Sequence, residues 1–368
     1  MADQRVVNLA KILVGYSTKV QPKEQVAIFA YSELSIPLVR EVYREVLRAG
    51  GYPNPLIKFD GMDYLTYSEA GRDQLAYVPP YVLAAYKEFP VLIAIRGEGN
   101  TRSLSNIDPE LQAVRARAEE PMLRALGERT AAGEFRWVGT LFPTAAHAQD
   151  AEMSLSEFED FVYGTMYADV DDPIGRWQEI HAQQERWIEW LKGKKRVRVQ
   201  GPEVDLSMSI EGRVFVNADG TNNMPSGEIF TGPVEDSVEG TIRFSFPAVH
   251  KGREVQGIEL TFEKGKVVKA SAEKNEAFLM HMLDADAGAR YVGEFAVGTN
   301  KRIDRFVKQI LFDEKIGGTI HMALGMGYPI TGSKNKSAIH WDMICDMRAG
   351  GQILVDGELM YDSGEFQI

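Results

Sequence analysis

The sequence predicts two domains of different class, an α/β domain followed by an α+β domain: an open α/β sheet over residues 1–195, then a β-rich domain over residues 196–368. Three observations predict this. A chain of 368 residues is long for one hydrophobic core. Its first half alternates apolar, strand-like runs with amphipathic, helix-like ones, the rhythm of a mostly parallel sheet. After about Arg198, short strands separated by glycine turns take over.

QVAIFAY (25–31) reads as a buried strand. SIPLVREVYREVLRAGG follows with helical periodicity and stops at Gly50-Gly51, a C-cap signature. PLIKFD (55–60) is the next strand, YVLAAYKEF a helix and PVLIAIRG (90–97) a third strand. SLSEFEDFVYGTMY opens with Ser154 and Glu157 at capping-box spacing. DPIGRWQEIHAQQERWIEWLKGKK is a long helix with Pro173 near its start. In the second half, GRVFVNADG, GTIRFSFPAV, GIELTFEKGKVVKASA, GTIHMALG, IHWDMICDM and GQILVDGELMY read as strands. Turns at residues 263–266 and at Asp356-Gly357 mark hairpins. Helices are expected over residues 275–289 and 301–312.

Composition excludes several classes. The 41 Lys plus Arg against 53 Asp plus Glu give a net charge of −12, which repels nucleic acid phosphates. The dense basic run KGKKRVR (192–198) is short and follows a predicted helix, so nucleic acid is not an expected partner. The single cysteine, Cys345, cannot form an internal disulfide and fits a reducing compartment. The first twenty residues hold Asp3 and no long apolar run, unlike a signal peptide. No stretch approaches the roughly 18 apolar residues of a membrane span. A soluble cytoplasmic protein without membrane attachment is the expectation.

The candidate site comes from strand alternation. Successive strand side chains point to opposite faces. In IHWDMICDM, His340, Asp342, Ile344 and Asp346 share one face, and Trp341, Met343, Cys345 and Met347 the other. In GTIHMALG, His321 lies opposite Ile320 and Met322. In GEFAVG, Glu294 lies opposite Phe295 and Val297, and in SGEIFTG, Glu228 adjoins Ile229 and Phe230. Glu228, Glu294, His321, His340 and Asp342 thus make a set of three carboxylates and two imidazoles, suited to divalent ions held by mixed N/O ligands. Buried carboxylates are costly unless paired or metal-bound. An ordinary His–Asp hydrogen bond is the plainer alternative for His340 and Asp342. His147, His181, His250 and His281 lie on no ligand-bearing strand. Cys345, on the apolar face, is expected to be packing. HExxH, CxxC, GxGxxG and GxSxG are all missing, and GYPITGSK (327–334) fails as a phosphate loop because Ser333 stands where the lysine belongs.

PSGEIFTGPVEDSVEG, GARYVGEFAVGTN, ILFDEKIGGTIHMALGMGYP and GSKNKSAIHWDMICD, in this order, resemble the M29 family of metallo-aminopeptidases. The resemblance covers most of the second half. RGEGNTRSLSNIDP and FPTAAHAQDAEMSLSEFEDFV carry a weaker one in the first. It implies a cytoplasmic homodimer with an N-terminal α/β domain and a C-terminal catalytic domain. It implies two divalent metal ions per chain (Zn, Co or Mn) on Glu228, Glu294, His321, His340 and Asp342, with Glu294 bridging, and Tyr328 as an active-site tyrosine. The segment from Tyr328 to His340 is short where some members carry an insertion. The expected activity is hydrolysis of the first peptide bond of short peptides with a free N-terminus, by a water activated between two ions. Glu235 and Asp236 are candidates for supporting groups or proton transfer. The alternatives are a metal-dependent amidase acting on a non-peptide amide and a non-catalytic metal-binding scaffold.

Overall fold

A computed structural model describes residues 3–250 and 252–368. Its contacts divide into two units, one of residues 1–178 with 220–225, the other of residues 179–219 with 226–368. The sequence ranges part the chain at 195/196. The contacts part it within the helix Pro173–Leu191, and the short strand Asn223–Met224 returns to the first unit.

The first unit is built on a parallel sheet in the order Tyr52–Ile57, Gln25–Ala30, Val91–Arg96, Arg136–Leu141, Asn223–Met224. Val26, Ala27 and Ile28, like Val91, Leu92 and Ile93, are all buried, as strands covered on both faces require. The edge strand carries Pro53 and Pro55, which cannot donate to a further strand. The helix Ile36–Arg48 ends before Gly50, whose φ of +81° suits glycine. The capping box forms: Glu157 N–H donates to Ser154 Oγ at 3.3 Å, and Ser154 N–H to Glu157 Oε2 at 2.9 Å. Two further elements are the strand Arg136–Leu141 and the helix Pro109–Ala131. That helix buries only Met122 and holds Pro121 inside it, so it lacks the apolar stripe that announces a helix.

The second unit packs two large antiparallel sheets together and also holds a two-stranded ribbon of Ala248–His250 with Arg253–Val255. The larger has eight strands; the smaller runs in the order His340–Asp346, Thr319–Gly325, Val292–Gly298, Glu228–Thr231, Val216–Ala218. Leu206, Ile242, Leu260 and Ile353 of the larger sheet share one core with Phe295, Val297, Ile320, Met322, Trp341 and Met343 of the smaller. Both predicted hairpins form. Lys264 and Gly265 have φ of +47° and +77°, and Asp356 and Gly357 +51° and +85°, the two positive values that match a tight turn to strand twist.

Some expectations need correction. The helix expected over 275–289 spans only Glu276–Leu283. The one expected over 301–312 does not form; a single turn, Ile310–Asp313, is helical. Asp313 Oδ1 accepts from Val307 N–H at 2.7 Å, so a buried carboxylate takes a backbone donor that a helix would use, and Lys308 sits at φ +61°. GTIRFSFPAV breaks at Pro247 into Glu239–Arg243 and Ala248–His250. The strand in GRVFVNADG is only Val216–Ala218.

Candidate metal centre

The five candidate ligands lie on four adjacent strands of the smaller sheet, on the face opposite the core. Pairing sets them in rows. Asp342, Ala323 and Glu294 face one another across three strands, and Ile344, His321, Ala296 and Phe230 form the next row. His340 pairs with Gly325, and Glu228 with Gly298. Ala323 and Ala296 are fully buried and offer only methyl groups between the polar side chains, which leaves room for those chains to converge. The register shifts between Val292 and Glu294. A Cβ at Gly293 would lie 2.3 Å from Met326 O, so only glycine allows the bulge that aims Glu294.

His321 Nε2 lies 3.7 Å from Glu228 Oε2, 3.7 Å from Glu294 Oε1 and 4.0 Å from Asp342 Oδ1. His340 Nε2 lies 3.3 Å from Glu294 Oε2 and 3.5 Å from Asp342 Oδ1. Glu294 therefore turns one oxygen toward each imidazole, and Asp342 Oδ1 also lies between them. Each ring is oriented from behind. His321 Nδ1 is 2.8 Å from Glu314 O, and His340 Nδ1 is 2.8 Å from Met326 O. A carbonyl only accepts, so Nδ1 carries the proton and Nε2 can present a lone pair, the arrangement typical of metal-ligating histidines.

The charges are strongly coupled. Burial disfavours both imidazolium forms, yet the surrounding carboxylates outweigh it: Glu294 first, then Glu228, raise His321 to about 10, and Asp342 and Glu294 raise His340 to about 12. Burial also opposes ionisation of Asp342, but His340 and His321 take its carboxyl down to about 2. Burial wins at Glu228, which rises to about 7. Glu228 Oε2 and Asp342 Oδ1 are buried without a hydrogen-bond partner. Among the described residues these inward-facing oxygens meet no donor at hydrogen-bond distance, and the two Nε2 atoms beside them become lone-pair ligands once a divalent cation displaces their protons, so the donor set fits such a cation.

Among the described residues, two groupings have ligand atoms all within 4.8 Å of one another: Glu294, His340 and Asp342; and Glu314, His321 and Asp342. Glu314 is a candidate that alternation misses. It lies in the turn before Thr319–Gly325, where no period fixes side-chain direction, and its buried position raises its carboxyl. Its neighbour Lys315 is fully buried, contacts the Glu314 carboxylate, and has its Nζ 3.6 Å from Glu228 Oε1.

Tyr328 stands over this face. Its ring meets His340 edge-on at 5.2 Å and Phe230 at 5.5 Å. The residue keeps 38% of its surface exposed, but desolvation at the hydroxyl, then the Glu294 and Asp342 carboxylates, push its phenol above the ordinary range, so it remains a donor. Glu235 serves the Tyr328 loop. Its carboxylate is 2.6 Å from Arg213 Nη2 and accepts from Lys334 N–H at 2.6 Å, while Arg213 also donates to Gly332 O.

The other histidines have different surroundings. His147 Nδ1 is 2.8 Å from Thr144 Oγ1, His181 Nδ1 is 2.7 Å from Asp219 Oδ2, and His250 packs on Trp341. Burial pushes the Cys345 thiol up to about 12. In the basic run, Lys192, Lys194, Lys195 and Arg198 each meet an acidic side chain, which neutralises most of its charge. Among the described residues no helix is long and apolar enough to cross a membrane.

A family model described as thermophilic metalloprotease (M29) matches residues 2–366. The chain is 26% identical to aminopeptidase 2 of Geobacillus stearothermophilus, over all of this chain and 94% of that one. It is 28% identical to aminopeptidase T of Thermus thermophilus, over 82% of this chain and 77% of that one. The solved structure of wild-type AmpT from Thermus thermophilus has the same fold, with a TM-score of 0.86 at 23% identity over 99% of both chains.

Proposed function

We propose how the side chains described above work in a chain that belongs to the M29 family of thermophilic metalloproteases. The protein is a metal-dependent aminopeptidase, a hydrolase of peptide bonds. In our reading it removes the first residue of short peptides with a free N-terminus. One observation carries the reading: two imidazole Nε2 atoms and three carboxylates converge on one face of one sheet, with each Nδ1 already engaged.

Glu228, Glu294, His321, His340 and Asp342 would hold two divalent ions, Zn, Co or Mn; Glu294 turns one oxygen toward each imidazole, which suits it to serve both. When bound, such ions supply a water activated near neutral pH and polarise the scissile carbonyl. Glu314 O and Met326 O keep the imidazole protons on Nδ1, so that Nε2 stays a ligand. The free α-amine of the peptide would be bound at the loaded centre, which restricts cleavage to free N-termini. The Tyr328 hydroxyl donates to the oxyanion that develops on the attacked carbonyl. All of these groups belong to the second unit, to which we assign catalysis. The homodimer and the cytoplasmic location rest on the family resemblance and on the lone, reduced Cys345.

The test is release of free amino acids from peptides with free and acetylated N-termini, by chelated protein and after adding back Zn, Co or Mn. Metal-restored cleavage confined to free N-termini is expected. Cleavage of blocked peptides would replace the N-terminal restriction with endopeptidase activity.

A further inference from the structure

We propose that the cavity beside Asp342 receives the first side chain of the peptide and selects an aliphatic one; this rests on the aminopeptidase reading above. The cavity, about 120 Å³, lies within the second unit, and its lining includes Val249, Phe306, Ile310, Asp342 and Ile344. Asp342 thus borders both the cavity and the converging ligands, its Oδ1 3.5 Å from His340 Nε2. A peptide whose first carbonyl sits at those ligands has its first side chain one residue's reach from this space.

The walls are built from fixed parts. Ile344 follows His340 and Asp342 on the same face of the same strand, so alternation places an apolar side chain directly after the acidic one. The facing wall is the irregular segment around Phe306 and Ile310. Asp313 pins it through Val307 N–H, and Phe306 stacks on Phe246 with centroids 5.4 Å apart and planes 15° from parallel. The lining also sets the selection. A charged side chain would lose its hydration against Val249, Phe306 and Ile344. Lys308, Gln309 and Asp313 also border the space, so the selection rests on the apolar walls and not on repulsion of one sign of charge. Val, Leu and Met side chains bring only apolar surface.

Two measurements test this on the metal-loaded protein: kcat/KM for X-Ala dipeptides with X as Gly, Val, Leu, Lys or Glu, and calorimetric affinity for glycine and leucine hydroxamates. Leucine should exceed glycine by at least about tenfold in both, with Lys and Glu well below Leu. Ile344→Phe fills the cavity and should lower the Leu-to-Gly ratio by about tenfold. Phe306→Ala, a milder change for folding, should enlarge it and move the preference toward Phe. A leucine preference that neither variant alters, or none at all, overturns the proposal. Tighter binding of leucine hydroxamate that Ile344→Phe abolishes, without cleavage of any peptide, supports the subsite and removes the aminopeptidase reading. Equal hydroxamate affinities with cleavage intact do the reverse.

Discussion

Replacing Lys315 with Met keeps an unbranched apolar chain in place and removes a buried cation. Lys315 Nζ lies 3.6 Å from Glu228 Oε1 and contacts Glu314, with no exposure to solvent. At an effective dielectric of about 20, a unit charge pair at this separation is worth about 4–5 kcal/mol. Breaking a buried pair from one side costs about 3–5 kcal/mol. Glu228 limits the damage. Burial already holds its carboxyl at about 7 with Lys315 present, so in the variant it takes up a proton instead of remaining an unpaired anion. We therefore expect the metal-free variant to lose about 3 kcal/mol, a fall in Tm of roughly 6–12 °C for a unit of this size. With metal added, a dication among the same carboxylates offsets the missing ammonium. The Tm loss should then shrink to less than about half, and zinc should bind more tightly to the variant than to the parent. Thermal unfolding with and without zinc, together with calorimetric zinc titration of both proteins, reads all three quantities. An equal Tm loss in both states, or weaker zinc binding by the variant, would refute the reasoning and leave Lys315 as a packing residue.

Tyr328→Phe should lower kcat by about 100-fold while leaving metal content and Tm unchanged, as loss of one oxyanion donor does; steady-state kinetics with metal analysis checks this. Glu294→Gln should cost at least about 100-fold in metal-dependent turnover and lower metal stoichiometry, and near-normal hydrolysis would remove Glu294 from the centre. The stability of the metal-free protein should fall as pH rises. Folded His321 and His340 titrate at about 10 and about 12, above the ordinary 6.5, so their charged-form stabilisation is complete below about pH 6.5 and is lost as pH climbs through the folded values. Metal loading, which needs neutral imidazoles, should flatten that slope and tighten with pH. A pH-independent Tm for the metal-free protein between pH 6 and 10 would contradict this.

The residues legible in the sequence are those whose direction a β-ladder dictates. Once His340 and Asp342 occupy one strand they must share a face, and Trp341, Met343 and Cys345 must enter the core; the structure buries all three. The same holds for His321 between Ile320 and Met322, and for Glu294 beside Phe295. The Lys264-Gly265 and Asp356-Gly357 turns are equally local, because their backbone chemistry permits few shapes. Glu314 and Lys315 have no such guide. Their directions depend on Glu228 and His321, which chain topology brings to them. Residues 301–309 mislead for a related reason: Ile303 and Val307 are buried at helical spacing, but Asp313 takes the backbone donor that a helix would need. A buried carboxylate is thus common to these two misses. Asp313 is satisfied by backbone N–H groups and reshapes a loop, whereas Glu228 and Asp342 keep buried oxygens without donors and converge on the imidazoles. That difference in how burial is compensated separates a structural acid from a candidate ligand, and it becomes visible only when the donors around each oxygen can be counted.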